Sequence, residues 1–373
     1  MDMKSKNKII SISFIIMLLG FMFSNIFSKD KEISYEERRK LSQLPKFTVE
    51  ELIEGEYFKD MEDYFLDQFS LRDNFRKLKA FINTEIFKEK DNNDIYIIDN
   101  SIYKMEYHLN EKSIYNSIDL YNKIASTYFK NSNIYYTIVP DKNYFVSKDK
   151  GYLSLDYKKL INIMKNNTKN MKYVDIIKDL EINDYYNTDL HWKQENLLPV
   201  AENLLETMKN KASSNKYEEK KFDYFYGSYY RQAATSINPD KLIYLNNKII
   251  EGCKVYDFEN QEYIKVYNDE NFKNVDSYDI YLGGPKPLLS IENSNNTSGK
   301  ELYIFRDSFG SSLAPLLISE YSKIILIDLR YMNSTKFEKY IQPEENSDVL
   351  FMYNTLVLNN SGTITKFFSW WFI

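Results

Sequence analysis

The stretch LYIFRDSFGSS, residues 302–312, runs from an apolar strand pattern through a polar turn into the start of a helical pattern. A strand that leads directly into a helix is typical of α/β proteins with a parallel sheet. Ser308 falls in the turn, where open α/β sheets place their sites, and backbone N–H groups and the helix dipole there can stabilise an oxyanion. An Asp/Ser helix cap would give the same pattern, so the stretch alone does not establish a nucleophile.

Strand and helix patterns alternate on both sides of this stretch. The alternation predicts an α/β fold with a mainly parallel sheet and helices on both faces. Residues 215–300 interrupt it with short aromatic runs and turn residues, which we interpret as a mostly β insertion. The predicted strands cover residues 95–98, 134–139, 174–177, 302–305, 323–327 and 349–353, and the predicted helices cover 114–128, 157–170, 193–209 and 310–319.

An apolar segment near the N-terminus, residues 9–27, contains no charged residue and follows Lys4, Lys6 and Lys8. As a helix it would be about 28 Å long, close to the hydrocarbon thickness of a bilayer. The positive flank predicts a cytoplasmic N-terminus and an extracytoplasmic body, and hence a single-pass protein of the cell membrane. Residues 24–28 form a poor cleavage signal, so we expect an uncleaved anchor rather than a removed signal peptide.

These patterns predict five regions along the chain. Capping-box patterns that begin at Thr48 and Ser70 indicate two amphipathic helices after the anchor. The regions are a cytoplasmic tail and anchor (1–28), a stalk with amphipathic helices (29–90), the first part of the α/β domain (91–214), the mostly β insertion (215–300) and the second part of the domain (301–373).

The composition argues against several kinds of site. The net charge of −5 is spread over interleaved acids and bases without a long basic stretch, so nucleic acid is not an expected partner. A single cysteine, Cys253, cannot form a disulfide within the chain and argues against thiolate metal sites. The two histidines, His108 and His191, cannot build a multi-histidine zinc or iron site. We therefore expect neither a metal nor a cofactor.

A second candidate segment is YYNTDLHW, residues 185–192, which precedes a helical pattern. In an extended backbone, residues i and i+2 point to the same side, so Asp189 could reach the ring of His191, fix its tautomer and stabilise its charged form. A helix cap beside a structural histidine is the alternative. A serine nucleophile needs a base in contact, and His108 has no comparably placed carboxylate.

The two segments resemble the motifs of the DHHW proteins, which are related to the alginate O-acetyltransferases of the AlgJ/AlgX type and have an SGNH-hydrolase-like domain. YYNTDLHW is similar to the name-giving motif, and LYIFRDSFGSSLAPLL is similar to the nucleophile segment. The resemblance covers most of residues 35–358, with further similar stretches at ERRKLSQLPKF, FLDQFSLRDNF, FYGSYYRQAA, YLGG and IDLRYMN. It implies an SGNH-like fold and a catalytic triad of Asp189, His191 and Ser308.

Two positions depart from the family pattern. Leu190 stands where the name-giving motif has its first histidine, and Arg306 stands where simple GDS hydrolases carry glycine. For the oxyanion hole, the N–H of Ser308 is the best donor, and Gly283, Gly284 and Asn354 are further candidates. Basic and aromatic side chains that could contact a sugar or carboxylate are Arg330, Lys142, Arg306, Tyr229, Tyr230 and Trp192, although for Trp192 we favour core packing.

The motifs, the resemblance and the anchor together predict an extracytoplasmic O-acetyltransferase that acts on a cell-surface polysaccharide. In this interpretation His191 deprotonates Ser308, which carries the acetyl group, and Asp189 orients His191. Related systems imply a multi-pass membrane-bound O-acyltransferase as the acetyl donor. Two alternatives remain: a carbohydrate esterase with the same triad, and a non-catalytic surface protein that binds or assembles polysaccharide.

Overall fold

The computed structural model describes residues 3–34, 39–210, 215–235 and 237–364, and the aromatic segment 366–373 lies outside the described residues. The chain divides into two compact units. The first consists of Met1–Asn92 with Arg231–Ser236, and the second of Asn93–Tyr230 with Ile237–Ile373.

The first unit is built from helices and one short strand pair. Thr48 caps the second helix by accepting a hydrogen bond from the N–H of Glu51 at 3.3 Å, and Gly55, at φ +81°, separates the second and third helices. The left-handed backbone at Gly55 suits a residue without a Cβ. The elements are α1 (Met3–Phe27), β1 (Ile33–Ser34), β2 (Arg39–Lys40), α2 (Val49–Glu54), α3 (Glu56–Asp67) and α4 (Arg72–Phe81).

The helix α1 has no fully buried residue, with only Phe21 and Asn25 half-buried, and its mean hydropathy is 2.2 over its most apolar window. Its 25 residues are long and apolar enough to cross a membrane. By length and composition it fits either a single-pass anchor or a signal sequence.

Beyond residue 92, and apart from Arg231–Ser236 at the end of one short helix, the chain forms an α/β unit. Its strands are β3 (Ile95–Ile98), β4 (Ser101–Lys104), β5 (Asn133–Val139), β6 (Lys172–Tyr173), β7 (Glu218–Phe225), β8 (Asp240–Asn246), β9 (Lys254–Asp257), β10 (Glu262–Ile264), β11 (Leu288–Glu292), β12 (Glu301–Arg306), β13 (Lys323–Ile327) and β14 (Asp348–Asn354). Its helices are α5 (Glu111–Tyr128), α6 (Asn143–Lys150), α7 (Tyr157–Asn167), α8 (Leu198–Thr207), α9 (Ser228–Ala233), α10 (Lys248–Gly252), α11 (Phe309–Leu317), α12 (Ser334–Tyr340) and α13 (Thr355–Asn359).

Eight strands form the central sheet, in the order β10-β9-β11-β13-β12-β14-β5-β6. The strands β13, β12, β14, β5 and β6 are parallel, whereas β11, β9 and β10 add an antiparallel edge. The pairs β3–β4 and β7–β8 form separate two-stranded sheets. Residues 215–300 therefore contribute both a separate pair and three strands of the central sheet.

Both faces of the central sheet are covered by hydrophobic core. Along β12, Leu302 and Ile304 belong to one buried cluster, whereas Tyr303 and Phe305 belong to the other. Alternate residues of a strand point to opposite faces, so this division means that apolar packing covers each side. The predicted α/β class with a mainly parallel sheet is confirmed.

Two predicted elements differ in detail from the structure. The strand expected at 174–177 is β6 instead, which pairs with β5 through only two residues and is followed by a 3₁₀ turn at Ile177–Asp179. The helix expected at 193–209 begins as a 3₁₀ turn, Gln194–Asn196, before α8. Pro199 lies in the first turn of α8, where the missing N–H leaves no helical hydrogen bond unmade.

The parallel strands bring polar residues to one edge of the sheet. Ser308 follows β12, Asp328 follows β13, Thr355 follows β14, and Asp141 and Lys142 follow β5. The carboxyl ends of parallel strands lie at the same edge, which is where α/β proteins collect functional groups.

Candidate active site

Ser308 sits in the turn between β12 and α11, with φ −62° and ψ −23°. The preceding residue, Asp307, is buried and holds the turn in place. Its carboxylate accepts hydrogen bonds from the N–H of Phe309 at 3.0 Å and from the N–H of Asn354 at 2.7 Å. Burial raises the pKa of Asp307, and the charge of Arg330 and these two hydrogen bonds oppose that rise. The Asp307 side chain thus ties the turn to the end of β14.

A chain of short hydrogen bonds joins Asp189, His191 and Ser308. The Nδ1 atom of His191 lies 2.6 Å from Oδ1 of Asp189, and its Nε2 atom lies 2.7 Å from Oγ of Ser308. The backbone N–H of His191 also donates to Oδ1 of Asp189 at 2.9 Å. A carboxylate at Nδ1 places the ring proton there, which leaves Nε2 as the acceptor for the serine hydroxyl. The three side chains therefore have the arrangement of an activated serine.

The carboxylate of Asp189 is fully buried and held by backbone donors. Its second oxygen, Oδ2, accepts a hydrogen bond from the N–H of Ser228 at 2.6 Å. Gly227 approaches so closely that a Cβ there would lie 2.1 Å from Cβ of Asp189 and 2.2 Å from its Oδ2. Only glycine fits at position 227 without displacing the carboxylate, because real carbon contacts are far longer.

Lys142 binds the backbone of the loop that leads to His191, residues 186–189. It is 1% exposed, and its ammonium group donates to the carbonyl oxygens of Ile102 at 2.6 Å, Tyr186 at 2.7 Å, Asn187 at 3.1 Å and Asp189 at 3.3 Å. Burial lowers the pKa of Lys142 to about 7, against the opposing effect of nearby carboxylates. The side chain that was a candidate for binding substrate is directed at four carbonyl groups of the protein.

Asp240 binds the N–H groups of the same loop. Its carboxylate accepts hydrogen bonds from the N–H of Asn187 at 2.9 Å, from the N–H of Thr188 at 2.7 Å and from the hydroxyl of Thr188 at 2.6 Å. The hydroxyl of Thr188 in turn accepts from the N–H of Gly227 at 3.1 Å. The amino group of Lys142 binds the carbonyl groups of this loop and the carboxylate of Asp240 binds its N–H groups, so the backbone before His191 is fixed on both sides.

Aromatic rings enclose the imidazole of His191, which is 4% exposed. The ring of Tyr278 stacks on it at 3.8 Å with an interplanar angle of 6°, and Phe309 lies at 4.9 Å. The Tyr278 hydroxyl donates to Oγ of Ser312 at 2.8 Å, and the indole N–H of Trp192 donates to the same atom at 2.9 Å. Trp192 is fully buried, as its alternative role in core packing requires.

The two arginines near the turn lie in different surroundings. Arg306 is fully buried, donates to Oγ of Ser311 at 3.1 Å and lies 3.9 Å from Asp328. Arg330 is partly exposed and binds both oxygens of Asp328, at 2.9 Å and 2.7 Å. This ion pair raises the pKa of Arg330 against the effect of burial. Of the two, Arg330 is the one that reaches solvent.

The tyrosines after Gly227 also differ. Tyr229 is 3% exposed and its ring lies 5.7 Å from the ammonium group of Lys142. Tyr230 is half-buried, its ring lies 4.4 Å from that of Tyr226 at a tilt of 41°, and it donates its N–H to the carbonyl of Thr188 at 2.9 Å. The Tyr229 side chain therefore packs inside the protein, whereas Tyr230 is only partly buried.

The other residues predicted for the oxyanion hole are Gly283, Gly284 and Asn354. Gly283 and Gly284 have φ values of +72° and +83°, and a Cβ on Gly284 would lie 2.4 Å from the carboxylate of Asp279. The side-chain amide of Asn354 donates to the carbonyl of Val139 at 3.2 Å and accepts from the N–H of Leu356 at 2.9 Å. Its amide is thus engaged at both ends, and the role of these three residues stays a prediction.

His108 is exposed, with its ring against Tyr107 at 4.1 Å, so His191 alone of the two histidines contacts Ser308. Within the described ranges, no group of three or more His, Cys, Asp or Glu residues is placed to hold a metal ion. The sequence did not single out Gly227, Ser228, Asp240 and Tyr278, although the stretch FYGSYYRQAA contains the first two.

Comparison with solved structures gives matches over most of the chain. A DHHW family protein from Eubacterium siraeum is 22% identical, with 74% of this chain and 96% of that chain covered and a TM-score of 0.60. PatB1 from Bacillus cereus is 19% identical, with 72% and 97% covered and a TM-score of 0.55. The O-acetyltransferase domain of AlgJ from Pseudomonas putida is 11% identical, with 71% and 92% covered and a TM-score of 0.42.

No protein-family model matches the chain, and no curated protein matches it. The similarity to the first two structures concerns the fold. The resemblance to DHHW proteins seen in the motifs is confirmed at the level of the fold. That this fold is of the SGNH-hydrolase type stays a prediction.

Proposed function

We propose that this protein is an extracytoplasmic O-acetyltransferase that modifies a cell-surface polysaccharide through an acetyl-serine intermediate on Ser308. The observation that carries the proposal is the chain of hydrogen bonds from Asp189 through His191 to Ser308, with contacts of 2.6 Å and 2.7 Å. A hydroxyl is a weak nucleophile unless a base touches it, and here an imidazole does so with a buried carboxylate behind it.

In the first half-reaction, Oγ of Ser308 attacks the carbonyl carbon of an acetyl donor while Nε2 of His191 takes the hydroxyl proton. Asp189 stabilises the imidazolium that forms. The N–H of Ser308 is the donor that we expect for the negative oxygen of the tetrahedral intermediate, because the next three N–H groups already donate to Asp307 and to the carbonyl of Ser308. Collapse breaks the bond to the leaving group, which receives the proton from His191, and leaves acetyl-Ser308.

In the second half-reaction, a sugar hydroxyl attacks the acetyl-serine ester and gives its proton to His191. Collapse releases the O-acetylated sugar and returns the proton to Oγ of Ser308. Tyr230 and Arg330, which are partly open to solvent, are the side chains that we expect to contact the acceptor. The choice of a polysaccharide rests on the motif resemblance to DHHW and AlgJ/AlgX-type proteins.

The location outside the cell rests on α1 and the lysines before it. A membrane-embedded O-acyltransferase that carries acetyl groups across the bilayer is the donor that this arrangement needs, because acetyl thioesters are made in the cytoplasm. The body of the protein would then receive the acetyl group on the outer side.

The test is to incubate the full chain in detergent with an activated acetyl ester and to measure the intact mass. We expect the mass of one acetyl group on the wild type, located at Ser308 by peptide mapping, and none on Ser308→Ala. Ser298→Ala, on an exposed loop, is the matched control and should acetylate normally. A wild-type protein that never acquires the adduct, or an adduct that persists in Ser308→Ala, would count against the proposal.

Adding an oligosaccharide acceptor separates transfer from hydrolysis, since the two reactions share the first half. Transfer predicts that the acceptor gains an acetyl ester and that the acetyl-enzyme decays faster in its presence. Decay to free acetate alone, at a rate that the acceptor does not change, would identify an esterase instead.

A further inference from the structure

We propose that α4 and the turn before it, residues 68–71, are embedded in the outer leaflet of the membrane, so that the first unit binds the lipid surface as well as being tethered to it. The proposal requires that α1 stays in the chain as an anchor, and it does not depend on the acyl-transfer proposal. The partner that fits is a lipid bilayer with anionic headgroups.

The contacts of α1 with Phe69 and Phe75 indicate how deep these two residues lie in the membrane. Phe21 lies six residues before Phe27, the last apolar residue of α1, which corresponds to about 9 Å along a helix. The ring of Phe21 stacks on Phe69 at 5.8 Å and contacts Phe75 at 5.6 Å with the rings tilted. If Phe27 lies at the boundary of the hydrocarbon core, Phe69 and Phe75 lie within the leaflet, because they touch a residue well inside that boundary.

Beyond Phe21, towards the end of α1 and the residues after it, the contacts with residues 68–70 are polar. The side chain of Asn25 accepts the N–H of Ser70 at 2.6 Å, the hydroxyls of Ser28 and Ser70 are 2.9 Å apart, and the N–H of Lys31 donates to Gln68 at 2.9 Å. The last four of these residues line a cleft of about 920 Å³. The order of aromatic contacts first and polar contacts next matches the change from hydrocarbon to headgroups across a leaflet.

The helix α4 has the composition of an interfacial helix. Leu71, Phe75 and Leu78 share one face by their spacing of four and three residues, and their exposed fractions are 60%, 41% and 50%. Its charges are mainly basic, namely Arg72, Arg76, Lys77 and Lys79, with Asp73 as the single acidic residue of the helix. Lys77 and Lys79 are exposed on either side of the apolar face, whereas Arg72 and Arg76 are half-buried, each 3.9 Å from a carboxylate. Lysines that flank an aromatic and aliphatic face bind anionic headgroups in the plane of the interface.

The neighbouring helix α3 gives a contrast within the same unit. It also exposes large apolar side chains, among them Phe58 at 64%, but it carries Glu56, Asp60, Glu62, Asp63 and Asp67. Anionic headgroups repel such a helix. We therefore assign the leaflet contact to α4 and expect α3 to face water.

The experiment measures the depth of single labelled sites in the full chain, after intact mass has shown that α1 is present. The protein, in a Cys253→Ser background, is reconstituted in vesicles of phosphatidylcholine and phosphatidylglycerol. Leu78→Cys in α4 and Phe58→Cys in α3, each with an environment-sensitive fluorophore, form a matched pair. Leu71→Cys is a second reporter of the proposed surface should the first variant fold poorly.

We expect the fluorophore at position 78 to have blue-shifted emission, to lose intensity with brominated lipids and to be protected from aqueous iodide. At position 58 iodide should quench and brominated lipids should not. Quenching of both sites by iodide alone would overturn the proposal. Protection of position 78 from iodide and from brominated lipid together would overturn it as well, because that result means that protein rather than lipid covers α4.

Discussion

Replacing Gly227 with alanine should damage the site by displacing the carboxylate of Asp189. The new Cβ would lie 2.1 Å from Cβ of Asp189 and 2.2 Å from its Oδ2. Carbon atoms in contact prefer at least about 3.5 Å, so one of the two residues has to move by about 1.4 Å. The backbone beside Gly227 has little freedom, since its N–H is bound to Thr188 and the next N–H is bound to Asp189.

The carboxylate is therefore the group expected to move. A shift of about 1.4 Å would lengthen the 2.6 Å contact between Asp189 and His191 to about 4 Å, beyond any hydrogen bond. Misplacing a catalytic group by about 1 Å costs about 10²-fold in rate, and losing the triad acid costs about 10⁴-fold. We expect kcat to fall within that range, equivalent to about 3 to 5 kcal/mol in the barrier.

The assay is release of nitrophenol from an acetyl ester, with the folded state checked by circular dichroism and thermal unfolding. Gly252→Ala is the control, because a Cβ there meets only the Asn295 side chain at 3.6 Å, an ordinary contact. In an Asp189→Gly background, where the clash partner is gone, Gly227→Ala should cause little further loss. A folded Gly227→Ala protein with near wild-type kcat would refute the argument that this close approach holds the carboxylate in place.

Four further changes test other parts of the structure. Ser308→Ala should lower kcat by roughly 10⁴ to 10⁶-fold with an unchanged melting temperature, measured with the same ester. Burial lowers the pKa of Lys142 to about 7 from its ordinary value of 10.5, so above pH 7 the unfolded chain binds a proton that the folded chain lacks. Wild-type stability should therefore rise from about pH 7 to about pH 10, and Lys142→Met should lose that part of the rise in urea unfolding. Asp240→Asn, which weakens the acceptor for two backbone N–H groups and a hydroxyl, should cost about 1–3 kcal/mol of stability by the same method. Tyr278→Leu should lower kcat more than Tyr278→Phe, because only the leucine removes the ring stacked on His191; equal losses would assign the effect to the bond with Ser312.

The sequence allowed the members of the candidate triad to be chosen because their chemistry is local and the alternatives are few. Asp189 and His191 are two residues apart, Ser308 lies in a strand–turn–helix pattern, and the chain has only one other histidine. The parallel sheet was predictable for a similar reason, since long apolar runs such as residues 302–305 and 349–353 are typical of strands buried on both faces.

The supporting residues could not be predicted because their roles arise from contacts between distant parts of the chain. A lysine after a strand is usually solvated, and only the folded structure shows the carbonyl groups of residues 102 and 186–189 converging on Lys142. Asp240 lies 52 residues from Thr188, and no local pattern connects the two. The short strand β6 was misplaced because its two-residue pairing leaves almost no periodic signal.

Contacts between distant parts of the chain also indicate the structural role of residues 215–300. Gly227 and Ser228 fix the carboxylate of Asp189, Asp240 fixes the loop that carries it, and Tyr278 covers the ring of His191. Residues 215–300 also supply β9, β10 and β11 at the edge of the central sheet. A polar group positioned by already formed hydrogen bonds needs no rearrangement when charge develops on its neighbour, which is the main way in which a protein lowers a barrier of this kind. The stretch that interrupts the α/β pattern is therefore part of the framework that orients Asp189 and His191, the acid and the base of the proposed mechanism, and we expect its removal to leave Ser308 without an ordered partner.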